Sequence, residues 1–313
     1  MELDLGAVRA FVAVADERHF GDAADRLGLT QQATSKRIAK LEAGLGTSLF
    51  HRARTGTELT DEGAAFLPDA RALIALADQA VRSVRVRDRA LRVDVAGTRL
   101  APTELIRVFH EAHPGVKIDI VTSRGLREAQ PALLGGAIDV TFARVAGELD
   151  PAIAHQPAYL EPHHMLAGRK HPLAGRRRVR MAELAESITW MPGNEPGSEW
   201  ADYYTYLQRE FALSIQTAGP HFGLDHMLDE LAASRDRYTF GGERMRVPWH
   251  AGIVQVPVVG PTPLYPWSML WHRRNRHPAL PLLIEHIAEG VRPFDPASQW
   301  LPPGEPILAG TPQ

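Results

Sequence analysis

Residues 29–45, LTQQATSKRIAKLEAGL, constrain the fold of this chain more than any other stretch. Ile38, Leu41 and Leu45 recur at steps of three and four, and Thr34 extends the stripe backwards, so one face of a helix must meet a core. Thr30 stands where its hydroxyl can accept from an otherwise unpaired amide of the first turn. At about 100° per residue the opposite face carries Gln32, Lys36, Ala39 and Lys40, flanked by Ser35 and Arg37, with Gln31 at the helix start. Amides and hydroxyls for base edges stand there among cations for phosphates, which is the chemistry of a helix that enters a DNA major groove. Taken alone, the same face is equally that of an ordinary amphipathic helix in water.

The neighbouring residues separate the two readings. Leu5, Val8, Phe11, Val12 and Ala15 form one face of a first helix, and Gly21 to Leu27 a second that stops at Gly28. Two helices joined by a short turn, the second polar outside, give a helix-turn-helix. In GTSLFHRARTGTELTDEG, Leu49 and Phe50 pin a strand, a turn forms at Gly56 and Leu59 returns to the core, the layout of a wing. From Arg26 to Arg54 the cations are Arg26, Lys36, Arg37, Lys40, Arg52 and Arg54 against the single anion Glu42, a net +5 in a chain of formal charge −2. A positive field confined to one motif suits a polyanion.

These residues carry a family resemblance. The pieces FVAVA, AADRLGLTQ, SKRIAKLEAGLGTSLFHR and LTDEG resemble, over about 60 residues without a gap, the N-terminal domain of LysR-type transcriptional regulators. Gln32 stands where that family often has proline and Arg37 where it often has glutamine. The resemblance implies Thr30, Gln31, Gln32, Ser35, Lys36, Arg37, Lys40, Arg52 and Arg54 as DNA contacts. Gln32, Ser35 and Lys36 are expected at base edges, Gln31 in support, and Thr30, Arg37, Lys40, Arg52 and Arg54 at phosphates.

Thr60 can cap a further helix with Asp61 and Glu62 in its first turn, where the helix dipole favours anions. Phe66, Ala70, Leu73, Ala77, Ala80 and Val84 then recur as a heptad seam, read either as an intramolecular core stripe or as a pairing surface. The resemblance implies the second, a linker through which two protomers pair. If residues 61–89 were helical throughout they would span roughly 43 Å, with a bend or a lost hydrogen bond at Pro68.

Near Leu91 the periodicity changes. Strands are expected at LRVDVAG, VKIDIVT, GGAIDVTFA, 187–191, 215–218, 237–241 and SMLWHRR, and helices at 103–113, 126–134, 198–211, 222–233 and 279–291. Alternation of this kind predicts an α/β protein with an open parallel sheet. The family resemblance, carried more loosely here by GVKIDIVTS, GGAIDVTFA and HPLAG, implies a two-lobed effector domain similar to periplasmic binding proteins. The family's glycine-rich segment is replaced by AASRDRYTFG. The expected division is 1–60 for the winged helix-turn-helix, 61–90 for the linker helix and 91–300 for the effector domain. Within the last, lobe one comprises 91–160 and 266–300, lobe two comprises 161–265, and 301–313 is a tail. The proline- and glycine-rich segment from Pro293 is expected to be loosely ordered.

In an open α/β sheet, ligands collect beyond the carboxyl ends of the strands. Those ends offer Thr98, Arg99, Thr122, Ser123, Arg124 and Arg144, with Pro192 and Tyr238 opposite. Hydroxyls beside three arginines suit an anion such as a carboxylate, although an uncharged effector fits a cleft equally well. Other chemistry finds little support. The chain has no cysteine, which excludes thiolate ligands and nucleophiles. His110/His113 and His163/His164 lack metalloprotease spacing, and there is no phosphate-binding glycine loop or nucleophile elbow. Catalysis, cofactors and metals are therefore not expected. The N-terminus does not read as a secretory leader and no apolar run is long enough to span a bilayer, so a cytoplasmic protein without a membrane partner is expected. Its partners would be double-stranded DNA, a small-molecule effector and further copies of itself, as a homodimer or homotetramer. A small-molecule binding protein or enzyme whose N-terminal module serves only assembly is the competing class.

Overall fold

The computed structural model describes residues 3–53, 56–84, 89–219 and 222–305. Two compact units divide the chain, residues 1–85 and 86–313. Among the described residues no helix is long and apolar enough to cross a membrane.

In the first unit α1 (Leu5–Glu17), α2 (Phe20–Leu27) and α3 (Gln31–Leu45) precede a hairpin of β1 (Phe50–Ala53) and β2 (Gly56–Leu59), and α4 (Asp61–Val84) follows. Each of the first three helices has an identifiable start. Asp4 accepts from the amide of Gly6 at 2.8 Å, His19 from Asp22 at 3.4 Å and Thr30 from Ala33 at 3.2 Å. Val8, Phe11, Ile38, Leu41 and Leu49 form the core, with Phe11 packed on Phe50 and Phe66, each at a ring separation of 5.3 Å. Gly63 explains how α4 docks: a Cβ there would lie 2.2 Å from the Leu49 carbonyl oxygen.

Residues 85–88 of the expected linker span lie outside the described residues. The described part of the helix, Asp61–Val84, is roughly 36 Å long, and Arg89 is no longer helical. Pro68 lies inside it, with no N–H to give to the carbonyl of Ala64. The seam also divides. Ala70 is fully buried and Phe66 rests on Phe11, so these two belong to the core of their own unit and are withdrawn from the expected pairing surface. Leu73 and Ala77 are half-buried, while the Ala80 and Val84 side chains lie outside the described residues.

The second unit begins with β3 (Leu91–Val95), α5 (Ala101–Ala112), β4 (Ile118–Thr122), α6 (Leu126–Leu134) and β5 (Val140–Ala143). Where the chain enters it, buried Asp139 receives Arg89 and Arg92, and their hydrogen bonds outweigh burial to hold its carboxyl at about 2. Next come β6 (Ile153–Gly168), β7 (Val179–Arg180), β8 (Ile188–Trp190), α7 (Glu199–Phe211), β9 (Ser214–Gln216), α8 (Leu224–Ala233) and β10 (Arg237–Gly242). The unit closes with β11 (Ile253–Val259), β12 (Thr262–His272), α9 (Leu280–Glu289) and β13 (Gln299–Trp300).

The strands follow the path β4-β3-β5-β12-β6-β10-β8-β9. β3, β4 and β5 are parallel, as are β8, β9 and β10, but β6 and β12 run antiparallel through the middle, pairing Leu160 with Pro266 and Pro162 with Leu264. Two parallel sets joined by long crossing strands agree with the two lobes expected, whose divisions near residues 160 and 266 fall where Leu160 pairs with Pro266. The sequence reading missed β6 because its HHMLAG run alternates poorly, and missed β11 because Pro257 interrupts it.

From Pro293 to Glu305, the described part of the segment expected to be loose is anchored. β13 pairs with Thr262 and Pro263 of β12, Leu301 is buried with Leu160, Leu264 and Phe294, and Glu305 is 4% exposed. Strand pairing and a few buried side chains anchor it, whereas its composition looked like that of a loosely ordered segment.

Candidate nucleic-acid interface and effector cleft

Thr34, Ile38 and Leu41 are buried in the first unit, and this fixes the rotation of α3. Gln31, Gln32, Ser35, Lys36 and Lys40 are consequently exposed. Thr30 is engaged as the N-cap. Lys36 makes no ion pair among the described residues, and the Lys40 ammonium stands 3.9 Å from Asp4. Arg37 is half-buried and reaches over the start of α1 toward Gly6. Arg52 lies in β1, its side chain outside the described residues, and so does the whole of Arg54. Arg26 adds little to the basic surface, since Asp16 and Glu17 take its guanidinium at 3.2 and 3.0 Å.

Glu42 has a role that its identity as the one anion of a basic stretch did not reveal. Its Oε1 accepts from the amides of Leu49 at 2.7 Å and Phe50 at 3.3 Å. One carboxylate thus ties the exposed helix to the first strand of the wing. Sequence spacing gives no sign of this, because the partners are backbone amides beyond a glycine turn.

In the second unit the expected effector residues do not converge. Thr98 and Arg99 are exposed, and the Arg99 carbonyl accepts from the amide of Arg246 at 2.8 Å. Thr122 is exposed at the end of β4, Ser123 donates to Asp94 at 2.9 Å, and Arg124 extends over Glu128 and Glu195. Pro192 is buried. Tyr238 is fully buried, and its hydroxyl accepts from Thr189 at 2.6 Å; it is a core residue, because the even-numbered positions of β10 point inward. Arg144 alone of the eight borders the cavity of about 1080 Å³ between α6 and α7.

Arg144 is the hub of that cavity, though not as a free cation. Its Nε donates to Glu305 at 2.6 Å, and one terminal nitrogen donates to Asp202 at 2.6 Å and to the Glu199 carbonyl at 3.1 Å. Arg144 as a whole is 3% exposed. Desolvation alone would lower its pKa, but the two carboxylates outweigh it and the net shift is upward, so Arg144 stays charged. The Glu199 side chain accepts from the amide of Leu126 at 3.1 Å, at the start of α6, and fits only because Gly125 has no Cβ. Burial raises its pKa. Asp94, on β3, is likewise raised by burial, with hydroxyl donors from Thr141 and Ser123 acting against that rise.

Glu161 lies on β6 where the strands cross. It accepts from Trp267 Nε1 at 2.7 Å and from the amide of Arg244 at 3.2 Å, and a Cβ on Gly242 would overlap it. Burial pushes its carboxyl up to about 7. Nearby His163 is enclosed by Tyr203, Tyr204 and Phe240, and burial drives its imidazole down to about 3. No group of three or more metal-ligating side chains occurs among the described residues.

Comparison with known proteins matches both units. Residues 5–64 match the family of bacterial regulatory helix-turn-helix proteins, lysR family, and residues 88–292 match the LysR substrate binding domain. The HTH-type transcriptional regulator ShiR of Corynebacterium glutamicum (strain R) is 35% identical over 190 residues, 59% of this chain and 64% of that protein. The match therefore spans less than two thirds of that relative's length. The HTH-type transcriptional regulator TtuA of Agrobacterium vitis is 27% identical over 306 residues, 92% of this chain and 98% of the other. Among solved structures, a full-length OxyR variant from Pseudomonas aeruginosa is similar with a TM-score of 0.63 at 19% identity, covering 92% of this chain and 95% of that one. CbnR, a LysR family transcriptional regulator, gives 0.54 at 23%, covering 91% and 100%. At these identities the structures speak for the fold.

Proposed function

The chain belongs to the LysR family of bacterial regulators, and from that premise we propose that it is a sequence-specific, self-pairing DNA-binding transcriptional regulator whose second unit senses a small acidic effector. The observation that carries the DNA reading is the partition of α3, with Thr34, Ile38 and Leu41 inside and Gln32, Ser35, Lys36 and Lys40 presented together outside. Gln32, Ser35 and Lys36 read base edges, while Thr30, Arg37, Lys40, Arg52 and Arg54 hold phosphates. Selection of bound duplexes from a random pool, at several fixed salt concentrations, tests the assignment. Gln32→Ala or Lys36→Ala changes the preferred base at one position, worth about 1–3 kcal/mol of discrimination, whereas Arg54→Ala weakens all duplexes and flattens the salt slope by about one. Equal loss on every duplex for the first pair would refute their base-reading role. Absence of any salt-sensitive, sequence-preferring complex would favour the assembly-only alternative.

Self-pairing uses the outer face of α4. With Phe66 and Ala70 in the core, the described apolar surface includes Ala72, the edges of Leu73 and Ala77, and Leu76, the last 53% exposed, and Ala80 and Val84 continue the pairing seam. The acidic effector is supported by Arg144, a permanent cation at the cleft that already binds carboxylates. A thermal-shift screen in which neutral ligands alone stabilise the protein would count against it.

A further inference from the structure

The C-terminal segment turns back into the cavity. Trp300 packs on Phe211 at 5.2 Å, Leu301 and Pro302 are buried, and Pro303 and Gly304 then lie exposed before Glu305 is buried again. Pro303, Gly304 and Glu305 all line the cleft together with Arg144 and Asp202. Gly304 has φ +80°, a conformation in which only glycine is unstrained, and it aims the following side chain inward. Glu305 comes 161 residues after Arg144 in the chain and supplies the carboxylate nearest its Nε, at 2.6 Å.

Three features set this ion pair apart from an ordinary structural one. It is buried on both sides, with side-chain exposures of 4% and 3%. It borders an open cavity instead of sealed core, with Arg144 and Glu305 both in the lining, so that withdrawal of Glu305 opens the guanidinium to the cleft. Its acidic member is joined to the packed Leu301–Pro302 by the exposed Pro303 and Gly304, so that moving Pro303 to Glu305 releases the carboxylate without unpacking β13. Asp202, by contrast, is held on α7 and remains beside Arg144.

We propose that Arg144 is a carboxylate-receiving position of this cleft whose resident occupant is the chain's own Glu305, so that an acidic ligand enters in competition with the C-terminal segment. The regulatory meaning of that exchange rests on the cleft being the effector site; the exchange itself does not. A guanidinium offers donors in a fixed fork, so a ligand carboxylate can take the Nε donor that Glu305 leaves, while Asp202 keeps a counter-charge beside the cation throughout. The tail thereby sets the concentration at which a ligand is admitted, because a tethered group acts at an effective concentration of about millimolar or more.

The test is chemical rescue of the full chain with propionate, which carries the carboxylate that Glu305→Ala removes. In Glu305→Ala, propionate raises the melting temperature saturably, with half-saturation at least about tenfold lower than in the wild type. Chloride at equal ionic strength and propionamide do not. The rescue disappears when Arg144→Met is added. Glu305→Gln keeps the shape without the charge and responds between the two, which preserves the test if the alanine variant does not fold. Equal propionate responses in wild type and both Glu305 variants, or rescue that persists without Arg144, would overturn the proposal. Rescue in melting with no effect of carboxylates on operator binding would leave the exchange standing and count against the effector role of the cleft.

Discussion

Replacing Glu42 by alanine should loosen the DNA-binding unit at one identifiable joint. The carboxylate makes a strong hydrogen bond to the Leu49 amide at 2.7 Å and a weaker one to the Phe50 amide at 3.3 Å. Bonds to a charged group contribute about 1.5–3 kcal/mol each, but Glu42 is only half-buried and the second bond is long, so the pair contributes about 2 kcal/mol. Leu49 is 1% exposed, so its amide would be left buried without an acceptor. For a unit of this size, about 2 kcal/mol corresponds to a fall of roughly 10 °C in melting temperature. Every tryptophan and tyrosine lies at or beyond Tyr159, so intrinsic fluorescence does not report on this unit. Amide hydrogen exchange of peptides covering α3 and β1 in the full chain is the appropriate assay. Exchange should accelerate about thirtyfold in these segments and stay unchanged in the second unit. Glu42→Gln keeps a neutral acceptor and should lose about half as much. Operator affinity should fall with an unchanged salt slope, because no phosphate contact is removed. Unchanged exchange in α3 and β1, or equal effects of the two substitutions, would refute the brace.

Glu161 holds its proton up to about 7 in the folded chain, against 4.5 for the ordinary carboxyl, so between those values the folded state binds more protons than the unfolded state and stability falls as pH rises, by roughly 3 kcal/mol in all. Urea unfolding across pH 4.5–7 should show that slope, and Glu161→Gln should remove it; a slope that survives places the proton elsewhere. Gly63→Ala should destabilise the first unit by at least about 2 kcal/mol, since its Cβ would meet backbone at 2.2 Å. Gly44→Ala, at an α3 position with nothing within 4 Å, should instead stabilise it by about 0.5–1 kcal/mol; melting followed by far-ultraviolet circular dichroism distinguishes them, and the same sign for both would contradict the packing.

The sequence by itself determined the three helices that open the first unit and the rotation of α3. A helix whose apolar stripe includes Thr34, Ile38 and Leu41 has one possible rotation, so the exposure of Gln32, Ser35 and Lys36 follows from periodicity, and Thr30 caps it through a local bond three residues long. Such information is local and survives reading in one dimension. The expected α/β alternation of the second unit was legible for the same reason, up to the crossing strands, where Pro162, Pro257 and Pro266 interrupt the pattern on which strand recognition depends. Only the tertiary structure decided the rest. It assigned Phe66 and Ala70 to their own core, took Tyr238 out of the cleft, and turned three apparently convergent arginines into one buried hub and two separate surface residues. The physical reason is that a charged residue's function depends on its partners, and those of Arg144 lie 58 and 161 residues away in the chain. Glu305, alone in a proline-rich tail, carries no sequence signal of its own. Its role arises because Trp300 and Leu301 find a hydrophobic seat and deliver it there.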